Sequence, residues 1–264
     1  MKPVTSAANP AYRTWLRLAQ QPREHRLRGR TLAEGVHLAR AALDAGTVPQ
    51  AWIVRRGTDT AAGEMGLVSE RLRRLGTPAF ELAASLYDRL APVEHGSGLL
   101  LVVASRNDPL PHASRDDLAY FDGIQDPGNV GTMLRVAAAA GLRHVLGGPG
   151  CASFWSPKAL RAGMGAQFVL RMTENVGAAD LAATLDGPWI ACAAHDADSL
   201  WAMTPPSGAL GWVFGAEGRG ISHDVAEVCS RRVTIPIAAG VESLNVATAA
   251  AVCLFERRRV TETG

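Results

Sequence analysis

The sequence predicts an α/β protein in two parts: a small α/β domain, then a longer region built on a mostly parallel sheet covered by helices. Three observations carry this expectation. Short apolar runs alternate with helical patterns along the whole chain, as in βαβ architectures. A turn-rich stretch with two prolines, SRNDPLPHASRDD from Ser105 to Asp117, separates two regions that each look foldable. The two regions also differ in charge. Residues 1–106 hold fifteen Lys and Arg against nine Asp and Glu, whereas the remainder holds twelve against sixteen. The expected organisation is a domain at 1–106, a linker at 107–117 and a second domain at 118–264.

A chain of 264 residues with 47% hydrophobic and 20% charged residues has the composition of an ordinary globular protein. None of its apolar runs approaches the ~20 residues of a membrane span, so no membrane partner is expected. The N-terminal MKPVTSAANPAYRTW lacks the apolar core of a signal peptide, which points to the cytoplasm. Cys151, Cys192, Cys229 and Cys253 lie far apart, form no C-x-x-C pair and sit in apolar contexts. Buried free thiols are therefore expected, and a metal site is not.

In the first region, TLAEGVHLARAALDAG places Leu32, Val36, Leu38, Ala39 and Leu43 close to helical period, with Gly46 as a stop. AWIVRRG reads as a strand, SERLRRLG as a helix, and APVEHGSGLLLVVAS as a strand after a turn. Lysine is almost absent, yet Arg13, Arg17, Arg23, Arg26, Arg28 and Arg30 fall within eighteen residues. Such a cluster attracts phosphate backbones, releasing a counterion at each contact; it equally suits a solvated helix face. Arg23, Arg26 and Arg28 are the candidate nucleic-acid contacts.

In the second region LAYFDGI, HVLGG, WIACAAH, LGWVFG and RRVTIPI read as strands, each followed by helix or turn signals. Three segments there are too rich in glycine and polar residues to be mere connectors. FDGIQDPGNVGTMLRVAAAAG (121–141) runs from a strand into an Ala-rich helix, the junction where a dinucleotide fold places G-x-G-x-x-G. Its spacing is instead Asn129-x-Gly131-x-x-x-Arg135. WVFGAEGRGIS (212–222) has Gly215, Gly218 and Gly220 within six residues after a strand, a tight loop whose backbone can approach a ligand, and it carries Glu217. In the third segment, 235–259, Ile235-Pro-Ile237 leads to Ser243-Leu244-Asn245 and a helix apolar nearly all round. Ser243 is placed to cap that helix, with the Asn245 amide free near its start. Each segment alone suits an ordinary tight turn or cap. All three fall in order at expected C-terminal strand ends, where open parallel sheets bind ligands.

These residues resemble the SpoU family of RNA ribose 2′-O-methyltransferases, within the SPOUT class of S-adenosylmethionine-dependent enzymes. Asn129-x-Gly131-x-x-x-Arg135 matches the family's first motif, Phe214 to Gly220 its second, and Ile235-Pro-Ile through Ser243-Leu-Asn-Val its third. LAEGVHLARAAL looks like the family's ribosomal-protein-like substrate-binding domain. RAGMGAQF departs from the pattern, with Gly163 where many members carry serine, and that position is assigned no role.

The resemblance implies a C-terminal sheet tied in a trefoil knot, an S-adenosylmethionine cofactor, an RNA substrate (tRNA or rRNA) and a homodimer with its active site at the interface. Cofactor contacts fall on Gly215, Ala216, Gly220, Ile235, Ile237 and Leu244. Asn129, Arg135, Glu217, Ser243 and Asn245 are the implied catalytic set. With a guanidinium pKa above about 12, Arg135 suits phosphate binding and alkoxide stabilisation better than base catalysis. Two other classes compete: a catalytically silent RNA- or ribosome-binding protein of the same fold, and a nicotinamide-dependent oxidoreductase, which the missing glycine triplet disfavours.

Overall fold

In the computed structural model, residues 1–21, 24–91 and 96–263 are described. The chain divides into two compact units, Met1–Arg106 with Trp155–Phe168, and Asn107–Phe154 with Val169–Gly264. In chain order the elements are β1 (Lys2–Val4), α1 (Pro10–Gln20), α2 (Glu24–Arg28), β2 (Arg30–Glu34), α3 (Val36–Asp44), β3 (Ala51–Arg55), α4 (Gly63–Arg74), β4 (Ala79–Leu82), α5 (Ala84–Tyr87) and β5 (Leu99–Ala104). They continue with β6 (Leu118–Asp122), α6 (Pro127–Ala139), β7 (His144–Gly147), α7 (Pro157–Gly163), α8 (Ala166–Val169), β8 (Arg171–Glu174), α9 (Ala178–Leu181), β9 (Trp189–Cys192), β10 (Asp198–Ser199), β11 (Gly211–Gly215), α10 (His223–Val228), β12 (Arg231–Thr234) and α11 (Val246–Thr263).

The first unit is a mixed sheet in the order β1-β4-β3-β5-β2, in which β5 runs antiparallel to both neighbours. Tyr12, Trp15 and Leu18 on one face of α1 bury against Ile53, Leu82 and Leu100 of this sheet. The helix expected from Thr31 begins only at Val36. Thr31, Leu32 and Ala33 are instead buried on β2, paired with β5, and Gly35 turns the chain between strand and helix at φ +101°. Propensity and period favoured one continuous helix, and the unfilled sheet edge overrode both.

Trp155–Phe168, inside the range read from sequence as the second domain, groups with the first unit. The reason is local: Trp155 Nε1 donates to Arg106 O at 2.7 Å, Thr31 Oγ1 donates to Trp155 O at 2.7 Å, and α7 packs on β2.

The second unit is a wholly parallel sheet in the order β10-β12-β9-β11-β6-β7-β8. β6 and β11 are continuous apolar runs because both their faces are covered. On one face Tyr120, Leu146, Trp189 and Val213 form the core with Leu181 and Val225. α11 packs against α6, β11 and β9. From β6 the chain steps outward to β7 and β8, then returns so that β11 lies between β9 and β6. The strand order therefore reverses at β6–β11, and a crevice at the C-terminal ends of these two strands is the binding position that open α/β sheets favour. β8 and β10 escaped the sequence reading; both are short, and β10 has no apolar run to mark it.

α11 is held by a buried ion pair. Arg257, 7% exposed, donates to both oxygens of Asp117 at 2.8 and 3.1 Å and to the carbonyls of Pro206 and Gly208. Asp117 in turn accepts from Leu210 N, just ahead of β11. Replacing Asp117 with Ala strands the Arg257 charge without a carboxylate. The expected cost is about 3 kcal/mol or more, read as a lower urea midpoint at unchanged slope.

Candidate active site

Three loops meet at the C-terminal ends of β6 and β11. After β6, Asp126 takes the N-cap position of α6 and accepts from Asn129 N at 2.9 Å, and Pro127 occupies the first turn, where its missing N–H costs nothing. This helix starts at Pro127 and fixes Asn129 in its first turn. After β11 the chain closes a tight loop, with Gly220 N donating to Ala216 O at 2.7 Å. A β-carbon on Gly215 would lie 2.3–2.5 Å from Gly220 and Ile221 backbone atoms. Glycine is required there by the loop's own closure, not by a ligand's approach. The third loop ends at Asn245, whose Oδ1 accepts from Ala247 N and Thr248 N at 3.0 and 3.3 Å. Asn245 is thus the cap of α11, correcting the expectation for Ser243, which is two residues too early and exposed.

The cap determines the rest. With Oδ1 committed to the helix amides, the Asn245 amide must present Nδ2 to its other neighbours. It donates to Glu217 Oε1 at 2.8 Å and to Asn129 Oδ1 at 3.1 Å, while Asn129 Nδ2 donates to the same Glu217 Oε1 at 2.9 Å. The three side chains form a closed polar triangle drawn from three loops. Two amide donors hold one carboxylate oxygen, and Glu217 Oε2 remains as an acceptor.

Beside the triangle lies a cleft of about 580 Å³. The residues assigned to a cofactor from the sequence, Gly215, Ala216, Gly220, Ile235, Ile237 and Leu244, line it, as do Glu217 and Ser243. Cys192 and His195 at the end of β9 also line it. The sequence offered no signal for this pair beyond their place after a strand.

Arg135 is exposed on α6, six residues beyond Asn129, which puts it about 9 Å further along the helix axis and on another face. It makes no hydrogen bond or ion pair among the described residues. Of the expected catalytic set, the structure brings together Asn129, Glu217 and Asn245, places Ser243 along the cleft and leaves Arg135 apart. Arg28 is paired with Glu24 one turn away. Arg23 and the side chain of Arg26 lie outside the described residues.

Two further aspartates, missed in the sequence, brace the loops. Asp126 has been described; Asp122, buried at the end of β6, accepts from Ser222 N at 2.6 Å and ties the β6 end to the chain beyond the Gly-rich loop. Their position beside FDG and QDP turns was the available signal. The four cysteines are free. Burial pushes the Cys151 and Cys229 thiols up to about 11, so both stay protonated at neutral pH. Cys253 donates to Cys192 at 3.7 Å, which lowers the Cys192 thiol and, with burial, holds its own well above the usual range. Among the described residues no cluster of three or more His, Cys, Asp or Glu is placed to hold a metal, and no helix is long and apolar enough to cross a membrane.

Residues 118–255 match the model of the SpoU rRNA Methylase family. An uncharacterised tRNA/rRNA methyltransferase of Synechocystis is 30% identical over 264 residues, covering 97% of this chain and 93% of the relative. The 23S rRNA (guanosine(2553)-2′-O)-methyltransferase of Bacillus subtilis is 28% identical over 262 residues, covering 98% of this chain and 100% of the relative. Among solved structures, an AdoMet-bound rRNA methyltransferase from Sinorhizobium meliloti shares the fold, with a TM-score of 0.84 over 98% of each chain at 24% identity. Spanning β6 through most of α11, the match takes in all three loops of the triangle: the chain belongs to the SpoU rRNA methylase family.

Proposed function

We propose that this chain is a cytoplasmic S-adenosylmethionine-dependent methyltransferase that places a methyl group on a ribose 2′-hydroxyl of ribosomal or transfer RNA. The observation that carries the reading is the Asn129–Glu217–Asn245 triangle, set where the β6 and β11 ends meet and beside a cleft lined from the ends of β9, β11 and β12. The activity named for the Bacillus subtilis relative supports the same choice of acceptor atom.

The cleft suits the cofactor. Its volume falls within the ~300–1,000 Å³ of small-molecule sites. Ile235, Ile237 and Leu244 give it apolar walls for a purine, and among its charged lining, Glu217 and Glu242 with Arg219 and Arg232, the two carboxylates can face a cationic sulfonium. When bound, S-adenosylmethionine supplies a methyl group already activated by the positive sulfur. The chain's task is then to position the ribose oxygen, take its proton and exclude water. Glu217 Oε1, fixed by two amides, holds the carboxylate still so that Oε2 can accept the hydroxyl proton. Asn129 and Asn245 resist its rotation, and the α11 cap resists that of Asn245. Arg135, exposed and without a partner among the described residues, binds the substrate phosphate and offsets charge on the ribose oxygen.

The working form is a homodimer built on a trefoil-knotted second unit. α11 packs on α6 yet leaves Thr248, Val252 and Phe255 as one outward stripe, with Phe255 46% exposed. A large aromatic on the open face of a packed helix is the kind of surface a second copy covers. The first unit captures RNA through the arginines Arg23, Arg26 and Arg28, adding sequence-independent affinity.

Transfer of a tritiated methyl group from S-adenosylmethionine to RNA from a strain lacking the gene tests the reading. The labelled site should also resist alkaline cleavage, because a 2′-methyl ether cannot attack the neighbouring phosphate. No transfer, or label on a base, refutes it.

Asn245→Ala should lower stability by about 1 kcal/mol through loss of the α11 cap. Asn245→Ser should recover most of that stability, since a hydroxyl also caps, but not turnover, since both donors to Glu217 and Asn129 are gone. Denaturation curves and transfer rates on the two variants read the two effects separately. Arg135→Lys should reduce turnover steeply with cofactor affinity unchanged by calorimetry, because the charge survives and the planar fork does not.

A further inference from the structure

Arg219 stands in the loop between Glu217 and Gly220, and no described residue hydrogen-bonds or ion-pairs with its guanidinium. The residue lines the cleft. Nη2 reaches across to the start of the β6–α6 loop: a β-carbon on Gly123 would lie 3.3 Å from it and 4.0 Å from Pro149 O. Neither Gly123 nor Pro149 lines the cleft, and neither does Asn129. Gly123 adopts φ +66°, a conformation that favours glycine, and Nη2 of the guanidinium lies against the space left by its missing side chain. The β11 loop thus carries a positive charge from the rim of the cleft to the C-terminal end of β6.

Among the described residues this cation neutralises no carboxylate and satisfies no carbonyl, which leaves its fork open to a ligand. An RNA acceptor offers one anion at every nucleotide, the phosphodiester, and the guanidinium fork matches two phosphate oxygens at once. Nη2 lies against Gly123, which is not among the residues of the cleft, and this favours an RNA phosphate over a carboxylate on the cofactor.

We propose that Arg219 grips a backbone phosphate of the RNA strand beside the acceptor ribose and so contributes to binding of the substrate strand. This rests on the methyltransferase reading above, within which it assigns a substrate-binding residue.

The test is steady-state methyl transfer to the same RNA by wild type, Arg219→Ala and Arg219→Lys, with cofactor affinity measured separately by calorimetry. In Arg219→Ala the KM for RNA should rise about tenfold, as for one lost charge-assisted contact, with kcat and cofactor affinity little changed. Between about 50 and about 200 mM salt, its log kcat/KM should fall less steeply than wild type, by about 0.7–0.9 in the log–log slope for one phosphate. Arg219→Lys should keep the wild-type slope and recover only part of the KM. An unchanged KM in Arg219→Ala overturns the proposal. So does a weakened cofactor affinity at unchanged salt slope, which assigns the guanidinium to the cofactor. If wild type itself moves no methyl to RNA, the methyltransferase reading fails and this inference falls with it; an active wild type with an indifferent Arg219→Ala defeats this inference alone.

Discussion

Asn245 sits where three separately folded pieces of chain have to agree. Its Oδ1 terminates the free amides of α11, and its Nδ2 reaches Asn129 at the start of α6 and Glu217 in the β11 loop, 116 and 28 residues away in sequence. An amide has one acceptor end and one donor end, so capping the helix commits the donor end to the other two loops. Removing that coupling leaves three loops that each fold locally and no longer share a geometry. Each amide of the network makes more than one hydrogen bond, so the two resist rotation of the side chains they join.

The triangle holds only if its platforms are fixed. α11 is held by Arg257 on Asp117 and on the Pro206 and Gly208 carbonyls, the β11 loop by Ser222 N on Asp122, and α6 by Asp126 on Asn129 N. Each of these aspartates lies at or just outside a strand end. The sheet brings the platforms together in the first place: its order reverses between β11 and β6, so the two glycine-bearing strand ends open side by side. Arg219 then extends the same loop toward Gly123, so one short segment serves the triangle, the cleft and the approach of the acceptor strand.

Much of this was legible in the sequence, and the failures have physical causes. β6, β9 and β11 announce themselves as unbroken apolar runs because strands buried on both faces need no alternation. The three polar segments stood out because Asn, Glu and glycine at strand ends have no core role to hide in. β2 was lost because Leu32 and Ala33 fit the helical spacing of α3, and only the conformation of Gly35 and the pairing with β5 separate them. Ser243 was preferred as a cap because both serine and asparagine suit the position and sequence alone cannot fix a helix start to within two residues. The Asp117–Arg257 pair was invisible, since partners 140 residues apart are chosen by topology, not by local pattern. The same holds for Trp155–Phe168, whose chain returns to the first unit through contacts with Thr31 and Arg106.

The central claim is that Asn129 and Asn245 act on the reaction through one carboxylate, Glu217, as a single unit. A double-mutant cycle on the rate of methyl transfer to RNA, with Asn129→Ala, Asn245→Ala and the double variant, tests it directly. Residues acting through a shared partner are strongly non-additive, so the double variant should be little slower than the slower single one. Rate losses that simply multiply in the double variant would contradict the account, because they would mean that the two amides serve the reaction independently.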